Sequence, residues 1–554
     1  MRKSISLVLC IFVLVSVFAM PLGVSAAPIE TPTDVPKVII TTRNTVNTDK
    51  YVGCSITIID EEGGTHEVIT DSDSSFKIRG NSTSSGEKKP FNIKFSGKTD
   101  VLGMGKAKKW CLLANCYEKT LIRNQMILDF ARNLGLDYTP QYRVVDVYLN
   151  NRFLGSYLLT DPIEAGGTRI DIDTDGNEFV LERDARTDEE TVYFETPIYN
   201  IRFGINEPEE QTAEQYSWLM DFITKAENAL KKGSYSDVEK YFDIESMIDF
   251  YIVLELSKNV DINVGSTRFY IKDGLIHGGP CWDFDLSMGN CSSSYYTTYN
   301  NIYTTGLSYQ GLWAETLWFK PLLKFSEFRN AVNERYLELQ DDIVNLYADN
   351  INGKNYIDAT VEKYSGTISR NYKEAGWIIP KVYSTLERVP ESTYEANIEY
   401  LRDWLYNRNK WLLKEWGLNS EITSNSNNYS SLNGYFIEAN SDETTATQLL
   451  SDYSGLNSLY HGDKKLVGKT VVPHGSILTK GGASYMVVLK GDVVADGSTN
   501  ARDYAIIKRT ALKTATLNDV QIMAADINGN GAVDAQDYQI VKRHVLGSFD
   551  IYDN

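Results

Sequence analysis

The stretch GGPCWDFDLSMGN, residues 278–290, places two carboxylates one residue apart between aromatic side chains and glycines. The glycines leave space beside the backbone for a ligand. Taken alone, Asp283 and Asp285 also fit a strand end that caps turns or holds a structural calcium ion. The residues that precede this stretch favour a different interpretation.

Upstream, a helix is predicted to end near Asn259, a loop carries Asp261, and residues 267–271 form a predicted strand that leads back toward Asp283. This excursion is expected to bring Asp261 and Asp283 toward each other. Phosphoryl transfer needs two such acidic groups beside basic residues, because Mg²⁺ must be held against phosphate oxygens and a hydroxyl must be oriented for attack. The pattern therefore favours a phosphotransfer site.

The order of elements predicts an α+β fold for residues 37–416, with a strand-rich first lobe and a helical second lobe. Short strands dominate up to residue 182, with one helix at 120–133 and a hairpin turn at Asn150-Asn151. Two such lobes commonly hold a ligand in the cleft between them. The later helices are predicted at 213–232, 244–258, 326–347, 355–374 and 392–416.

Six motifs along these residues occur in the order found in one known family. They are KIRGNST (77–83), KKPFNIKF (88–95), LGMGKAKKWCLLANCYEKTLIRN (102–124), LNNRFLGSYLLTDPIE (149–164), FVLERD (179–184) and the stretch at 278–290. Together they resemble the spore-coat-H (CotH) type atypical protein kinases. The resemblance implies a divergent, two-lobed protein-kinase fold that binds ATP and Mg²⁺ and phosphorylates secreted or coat proteins.

The resemblance also implies roles for individual residues. Asp261 matches the family's catalytic-loop aspartate and Asn259 an asparagine of the same loop. Asp283 matches the metal-binding aspartate, which would hold Mg²⁺. Asp285 is predicted to be a second metal contact, and Asn290 completes the same motif in a polar or structural role.

A predicted nucleotide-facing side consists of Arg79, Asn81 and Lys94, because Arg and Lys neutralise phosphates. Glu182 is expected to pair with one of the cations there. The neighbouring Lys88 is expected to lie on a solvated strand edge. The residues predicted to orient the first lobe are Lys119, Arg123 and Asn124.

Two other classes of function stay open. The chain departs from the family pattern at residues 160–162, Thr-Asp-Pro, where family members often have Thr-Glu-Lys, and at Cys116, which replaces a bulkier residue. One alternative is therefore a non-catalytic pseudokinase that acts as a structural or adhesive subunit of a polysaccharide-degrading complex. The other is a glycoside hydrolase that uses two carboxylates.

The end of the chain contains an internal duplication. DVVADGSTNARDYAIIKR begins at residue 492 and DINGNGAVDAQDYQIVKR at residue 526, and each segment ends in an amphipathic helix. Calcium loops supply oxygens at positions 1, 3, 5, 9 and 12. The predicted ligands are Asp492, Asp496, Asn500 and Asp503 in the first loop, and Asp526, Asn528, Asn530, Asp534 and Asp537 in the second. Val494 stands at position 3 of the first loop, so one ligand is missing there.

This tail resembles a type I dockerin over residues 491–549, since the loops are duplicated, each closes with Asp, and Lys-Arg follows each loop. The resemblance implies an all-α domain that binds Ca²⁺ and a cohesin module of a scaffold protein, with two docking orientations. The residues that the family uses to select its partner correspond to Ala501, Arg502, Lys508 and Arg509, and to Ala535, Gln536, Lys542 and Arg543.

The region between the two domains predicts a linker and a small module. Residues 417–434 are rich in Ser and Asn, which is typical of a linker. Residues 435–490 predict a mixed α/β module with a helix at 445–451 and strands at 469–472 and 484–489. No chemistry is assigned to it.

The first residues and the composition of the chain limit where the protein is located and which partners it binds. Residues 1–26 have the three-part pattern of a secretory signal peptide. A retained membrane anchor is less favoured, because the apolar run is shorter than the roughly 20 residues needed to span a bilayer. A net charge of -19 argues against nucleic acid and anionic membranes as partners.

The cysteines are too few for a disulfide framework. One bridge, Cys111 with Cys116 or Cys281 with Cys291, stays open, but buried or free thiols are preferred. The sequence thus predicts a secreted subunit of a cellulosome, with ATP and Mg²⁺ as cofactors of its kinase-like domain and Ca²⁺ of its tail. It does not identify the protein substrate.

Overall fold

In the computed structural model of the chain, the described residues are 33–60, 67–183, 192–262, 265–293, 297–302, 304, 317–418, 429–432, 436–439, 441–453, 458–480 and 482–552. The predicted signal peptide lies outside them, and so do residues 419–428 of the predicted linker.

A closed β-barrel with the strand order β1-β2-β3-β4-β5-β7-β6 forms the first part of the chain. Strand β1 pairs in parallel with β6 and so closes the barrel, whereas the other pairs are antiparallel. Alternate apolar side chains such as Ile56, Phe76 and Trp110 fill the interior. The strands are β1 Lys37–Thr41, β2 Val52–Asp60, β3 Glu67–Ile78, β4 Phe91–Asp100, β5 Lys106–Leu113, β6 Tyr142–Leu149 and β7 Arg152–Thr160.

Local sequence signals explain two features of the barrel. Asn150 and Asn151 both have positive φ (49° and 64°), which confirms the predicted hairpin turn between β6 and β7. A short helix, α1 Ser82–Ser85, follows β3, and the longer α2, Arg123–Leu134, ends at Gly135 with φ 88°. Helix α2 begins later than predicted, because Leu121 has a left-handed conformation with φ 63°.

A five-stranded sheet in the order β12-β11-β8-β10-β9 lies in the second part of the chain. Its central strand β8 pairs antiparallel with both β10 and β11. The strands are β8 Phe179–Arg183, β9 Tyr193–Glu195, β10 Arg202–Glu207, β11 Thr267–Lys272 and β12 Leu275–Gly278. The chain therefore contains sheets and helices, which agrees with the predicted α+β class.

Nine helices of the described residues surround or follow this sheet. Every residue of helix α5 from 247 to 257 is buried, including the ion-paired Asp249 and Glu255, which is typical of a central helix. The helices are α3 Ala213–Lys232, α4 Tyr235–Val238, α5 Ile244–Ser257, α6 Phe319–Leu322, α7 Ser326–Glu338, α8 Gln340–Asn345, α9 Tyr356–Lys363, α10 Ser365–Lys373 and α11 Tyr394–Glu415.

Two predicted helices are each divided in the structure. The helix predicted at 326–347 breaks at Leu339, whose ψ of 2° leaves the helical range while its side chain remains buried. The helix predicted at 355–374 breaks at Tyr364, where φ is -106° and ψ is 17°. Hydrophobic periodicity continues through both breaks, so the sequence pattern alone does not reveal them.

Buried polar contacts join the barrel to α10. Asp146 of β6 accepts hydrogen bonds from Arg370 Nε at 2.8 Å and Thr367 Oγ1 at 2.5 Å. Burial raises the pKa of Asp146 to about 6, although the charge of Arg370 acts in the opposite direction. Lys88 was expected on a solvated edge, but it is buried and its Nζ donates to Asn371 Oδ1 at 3.0 Å. The expectation for Lys88 is therefore wrong, because α10 covers this strand edge.

The third sheet belongs to the small module and has the order β13-β14-β18-β17-β15-β16. Residues 429–432, predicted as linker, instead form β13 and pair with β14, so the module begins earlier than its composition indicates. The strand predicted at 469–472 is also wrong, because only Val471 forms a bridge, with Thr445. The elements are β13 Tyr429–Leu432, β14 Phe436–Ala439, α12 Ala446–Asp452, β15 Ser458–His461, β16 Lys464–Lys465, β17 Ile477–Lys480 and β18 Ala483–Leu489.

Three helices follow β18, with α13 at Ala501–Ala511, α14 at Asp519–Ala525 and α15 at Ala535–Val545. Asp442 of the small module joins this region, because its Oδ1 accepts from Thr499 N at 2.9 Å and from the Tyr552 hydroxyl at 3.1 Å. The N–H of Glu443 also donates to Gly497 O at 3.2 Å. The module and the tail are therefore in direct contact.

Two further properties of the described residues complete the fold. Cys54, Cys111, Cys116, Cys281 and Cys291 are all buried free thiols, as preferred from the sequence. Among the described residues there is no helix whose length and apolar character would let it cross a bilayer.

Candidate functional site

One cavity of about 440 Å³ collects six of the nine residues predicted for catalysis and cofactor binding. It lies beside the end of β3 and the segment that follows β12. The predicted residues that line it are Arg79, Asn81, Glu182, Asp261, Asp283 and Asp285. In the described part of the chain, Asn259, Asn290 and Lys94 do not line it.

The backbone of Asp283 is unusual, because its φ of 66° lies in the left-handed region. This conformation costs a residue other than glycine about 1–2 kcal/mol. Such strain is found most often at functional sites, where surrounding contacts hold it in place. Here the Ser266 hydroxyl donates to Asp283 Oδ2 at 3.4 Å, and the Asn259 side chain donates to the Asp283 carbonyl at 2.8 Å.

Asn259 connects the predicted catalytic Asp261 with the predicted metal-binding Asp283, although it does not line the cavity. Helix α5 ends at Ser257, the capping residue Lys258 has φ 48°, and the chain then turns toward the cavity. The Asn259 Oδ1 accepts from the Asp261 N–H at 3.1 Å while its Nδ2 binds the Asp283 carbonyl. Asn259 therefore fixes the backbone of both aspartates relative to each other.

Asp285 is the most buried carboxylate of the cavity. Burial raises its pKa well above the usual range, and the negative charges of Asp283 and Asp261 raise it further. The Asn290 side chain donates to the Asp285 carbonyl at 2.7 Å and to the Tyr117 carbonyl at 3.0 Å. Asn290 thus holds the backbone of Asp285 at the edge of the cavity.

Cations line the same cavity as the acids. Arg79 and Arg268 approach Trp282, with their guanidinium carbons 5.2 Å and 6.0 Å from its ring centroid. The Nε of each arginine is buried and has no hydrogen-bond partner among the described residues. Lys77 also lines the cavity, on β3 two residues before Arg79. The cavity therefore combines anionic and cationic groups.

Glu182 was expected to pair with a cation of the predicted nucleotide-facing side, but its partner is Arg268, which pairs with it across the sheet. Arg268 Nη2 lies 2.7 Å from Glu182 Oε1, across the paired strands β8 and β11. The Ser266 N–H donates to the same Glu182 oxygen at 3.2 Å. One carboxylate thus contacts both the arginine and the residue whose hydroxyl binds Asp283.

Lys94 lies on the exposed outer surface of the barrel. Its Nζ is 5.9 Å from the centroid of the Tyr51 ring, and the Lys77 Nζ is 5.3 Å from the same centroid. Lys77, and not Lys94, is the lysine that lines the cavity.

The first tail loop brings acidic groups together. Oxygens of Asp492, Asp496 and Asp503 all lie within 4.8 Å of one another, and in the described residues this is the acidic group arranged closely enough for a metal ion. Burial raises the pKa of Asp503 to about 6, and the charges of Asp492 and Asp496 contribute. Position 3 carries Val494, yet the remaining acids converge.

The second loop repeats the hydrogen bonds of the first. Asp526 accepts from Asn530 N at 3.1 Å and Gly531 N at 2.8 Å, as Asp492 accepts from Asp496 N at 3.0 Å and Gly497 N at 2.9 Å. Asp537 and Asp503 likewise accept from a loop N–H at 2.9 Å. The remaining predicted ligands are Asn500, Asn528 and Asp534, which all lie on these loops. The duplication is therefore structural as well as sequential.

All residues predicted to select the partner are exposed. They occupy the first positions and the later turns of α13 and α15. They are Ala501, Arg502, Lys508, Arg509, Ala535, Gln536, Lys542 and Arg543.

Comparison with known families decides the relationship. A family model described as CotH kinase protein matches residues 76–412, which is more than half of the chain. The chain belongs to the CotH kinase protein family. A second model, described as Dockerin type I domain, matches residues 490–546. No curated protein matches the chain.

These matches confirm both resemblances drawn from the sequence. The dockerin domain implies that the tail binds calcium and that its partner is a cohesin. The roles of single residues, and the boundaries outside the matched ranges, stay predictions.

The three polar residues predicted to orient the first lobe of the CotH domain are buried. Lys119 Nζ pairs with Glu387 at 2.6 Å, and Arg123 pairs with Glu118 at 2.5 Å. Asn124 Oδ1 accepts from the Phe284 N–H at 2.6 Å. Asn124 therefore contacts the residue between the two cavity aspartates.

Three of the cavity residues that were not predicted from the sequence are Lys77, Arg268 and Ser266. Lys77 could have been predicted, because side chains alternate between the two faces of a strand and Lys77 therefore lies on the same face as Arg79. Arg268 and Ser266 have no such local signal, because their importance follows from the pairing of β11 with the distant β8.

Proposed function

We propose that the CotH domain binds ATP with Mg²⁺ and transfers the terminal phosphate to a hydroxyl group of a protein substrate. The observation that carries this proposal is the meeting of Asp261, Asp283 and Asp285 with Arg79 in one cavity of about 440 Å³. Cavities of roughly 300–1,000 Å³ are usual for ligands of nucleotide size.

The donor set of the cavity fits a metal-bound triphosphate. Carboxylate oxygens are the ligands that Mg²⁺ prefers, and Asp283 and Asp285 would supply them. Buried donors without partners are rare in proteins, and the unpaired Nε atoms of Arg79 and Arg268 are satisfied if phosphate oxygens reach them. Bound Mg²⁺ would neutralise charge on the transferred phosphate.

The protein residues would divide the remaining work. Arg79 and Lys77 would neutralise the phosphates, and Asn81 would contact the nucleotide from the same wall. Asp261 would orient the acceptor hydroxyl and take its proton as the hydroxyl oxygen bonds to the terminal phosphorus and ADP departs. Asn259 would keep Asp261 and Asp283 in register.

We also infer that the barrel and the helical part form the two lobes of a divergent kinase-like fold. The position of the cavity supports this, because its lining includes β3 and α1 residues of the barrel region and residues that follow α5 and β12. The five-stranded sheet lies with the helical part, which is the largest difference from a purely helical second lobe.

The tail would attach this domain to a scaffold. The dockerin match and the exposed recognition residues support docking to a cohesin with calcium bound, in an extracellular cellulosome. Export through the predicted signal peptide at 1–26 fits this location. Duplication of the loops would allow two docking orientations.

Phosphate transfer is tested by incubating the mature protein with labelled ATP, Mg²⁺ and a candidate protein mixture. Wild type should incorporate label. The rate of incorporation by D261A and by D283N should be at least about 10²-fold lower than that of wild type. K94A, on the exposed barrel surface, is the matched control and should retain it. Equal incorporation by all four proteins would rule the proposal out.

Melting curves separate this function from a pseudokinase. A ligand selective for the folded state raises the melting temperature. A shift with Mg·ATP but no label transfer would identify a nucleotide-binding subunit without catalysis. Absence of a shift, together with release of reducing sugar from plant polysaccharides, would favour the hydrolase alternative.

A further inference from the structure

We propose that Arg268 contacts the terminal phosphate of the bound nucleotide and that Glu182 holds it in position to do so. This inference rests on the proposed function and assigns a second phosphate-binding arginine beside Arg79. The evidence is the place of Arg268 in the cavity, its contacts and its burial.

Arg268 is a buried cation in a cavity that also contains acids. It is 8% exposed, and its guanidinium lines the cavity beside Trp282. Burying a charge is costly unless it is paired, and a single ion pair leaves part of a guanidinium unsatisfied. Its Nη2 binds Glu182 at 2.7 Å and its Nη1 donates to Ser266 O at 3.3 Å, whereas the buried Nε has no partner among the described residues.

The strand pairing explains how this geometry is fixed. Arg268 stands directly opposite Glu182 in the antiparallel pair of β11 and β8, so their side chains lie on the same face of the sheet. Both strands are central in the five-stranded sheet. A rigid sheet therefore presents the guanidinium, and its planar fork suits phosphate oxygens.

Contacts through Ser266 place Arg268 near the metal-binding side of the cavity. The Ser266 N–H donates to Glu182 at 3.2 Å, and its hydroxyl donates to Asp283 Oδ2 at 3.4 Å. Ser266 has φ 61°, a left-handed conformation that turns the chain at the start of β11. Since the metal of a phosphotransferase binds the terminal phosphates, a cation linked to Asp283 through Ser266 is placed to contact those phosphates.

Arg79 and Arg268 would then contact different parts of the triphosphate. Arg79 belongs to the segment after β3 and Arg268 to β11, and the two approach the same Trp282 ring. Removing Arg268 should therefore weaken the binding of ATP more than the binding of ADP, because ADP lacks the phosphate that Arg268 contacts. Removing Arg79 should weaken the binding of both nucleotides.

The experiment measures the Kd of Mg·ATP and Mg·ADP for the full chain by titration calorimetry. R268Q should raise the Kd of Mg·ATP roughly tenfold or more relative to that of Mg·ADP. This factor corresponds to the loss of one charge-assisted hydrogen bond. R268K should recover part of the loss, since it keeps the charge without the fork. E182Q should also lower the affinity for ATP relative to ADP. The double variant E182Q/R268Q should have nearly the same ratio of affinities as R268Q alone.

Controls separate this role from a loss of folding. The Arg335–Asp249 pair, 2.8 Å apart between α7 and α5, is a second arginine–carboxylate contact of the domain that does not line the cavity. R335Q and D249N should leave the ratio of ATP to ADP affinity unchanged. Melting without ligand checks each variant, and label transfer by R268Q should fall about 10²-fold or more.

The results distinguish the two proposals. Wild-type protein that binds neither nucleotide overturns the proposed function and this inference with it. Wild-type binding and transfer that R268Q leaves unchanged overturn the role of Arg268 alone. Equal weakening of ATP and ADP by R268Q, with no difference between R268Q and R268K, would also contradict a contact to the terminal phosphate.

Discussion

Asn259 and Asp283 lie 24 residues apart in the chain, yet the Asn259 side-chain amide donates a 2.8 Å hydrogen bond to the Asp283 carbonyl. The other end of the same amide accepts from the Asp261 backbone. A side chain outside the cavity thus holds the two aspartates on which phosphate transfer would depend. Its removal should affect the chemistry more than the binding of nucleotide.

We expect N259A to reduce the rate of label transfer at least tenfold while weakening Mg·ATP binding less. Two partly buried hydrogen bonds are lost, which also costs up to about 1–3 kcal/mol of stability for each group left unsatisfied. Transfer rates and the melting temperature, measured on the same preparation, check this. N228A removes an exposed asparagine of α3 and is the control. An unchanged transfer rate in N259A would contradict the bridging role.

The pH dependence of stability should report on Asp146. Its pKa is about 6 in the folded protein, mainly through burial, against 3.8 for an unperturbed Asp. The folded state therefore binds a proton more tightly than the unfolded state. This contribution to stability is complete below pH 3.8 and is lost as the pH rises through about 6.

Denaturant unfolding of wild type and D146N between pH 4 and 7 tests this. The difference in their unfolding free energies should change by about 2 kcal/mol across that range, with wild type losing stability relative to D146N as the pH rises. D221N, which alters an exposed carboxylate of α3, should follow the wild-type profile. Parallel profiles for wild type and D146N would contradict the assignment.

Elements governed by local signals could be predicted from the sequence. Helix α3 spans 213–232 as predicted, and Thr212 and Gln215 form a capping box at its start. Asn150-Asn151 formed the expected turn because few other residue pairs tolerate positive φ at both positions. The approach of Asp261 and Asp283 to one cavity followed from the strand excursion between them.

Features that depend on distant packing could not be predicted. Lys88 is a charged residue in a basic motif, and only the cover provided by α10 makes it buried. The pair of Glu182 and Arg268 depends on the register of β8 against β11, which no local pattern specifies. Residues 429–432 have a linker-like composition and become a strand because β14 offers a free edge.

The contact of Asp442 with the dockerin should stabilise that domain. Its carboxylate binds Thr499 N at 2.9 Å and the Tyr552 hydroxyl at 3.1 Å, and Oδ2 lies 3.4 Å from His544 Nε2. We expect D442A to destabilise the dockerin by about 1–3 kcal/mol, since charged hydrogen bonds are lost. Hydrogen exchange of α13 and α15 in the full chain measures this. Exchange that matches wild type would mean that the small module and the dockerin are energetically independent.

Calcium should bind the first dockerin loop although Val494 replaces a ligand. The oxygens of Asp492, Asp496 and Asp503 already lie within 4.8 Å of one another. D496A should therefore lower the calcium stoichiometry of the full chain by one ion, as should D534A in the second loop. Equilibrium dialysis after chelation measures both. If D496A binds as much calcium as wild type, the first loop does not hold an ion.

A single substitution in the first loop should stabilise the dockerin. Ala495 has φ 57°, whereas the corresponding position of the second loop is Gly529 with φ 69°. A left-handed conformation costs alanine about 1 kcal/mol or more relative to glycine, so A495G should raise the melting temperature of the dockerin. The matched control is A505G on the exposed side of α13, where the same change should destabilise by about 1 kcal/mol. Calorimetric melting with calcium present measures whether each variant raises or lowers the melting temperature of the dockerin. Destabilisation by A495G would show that the left-handed conformation is not the one that limits this loop.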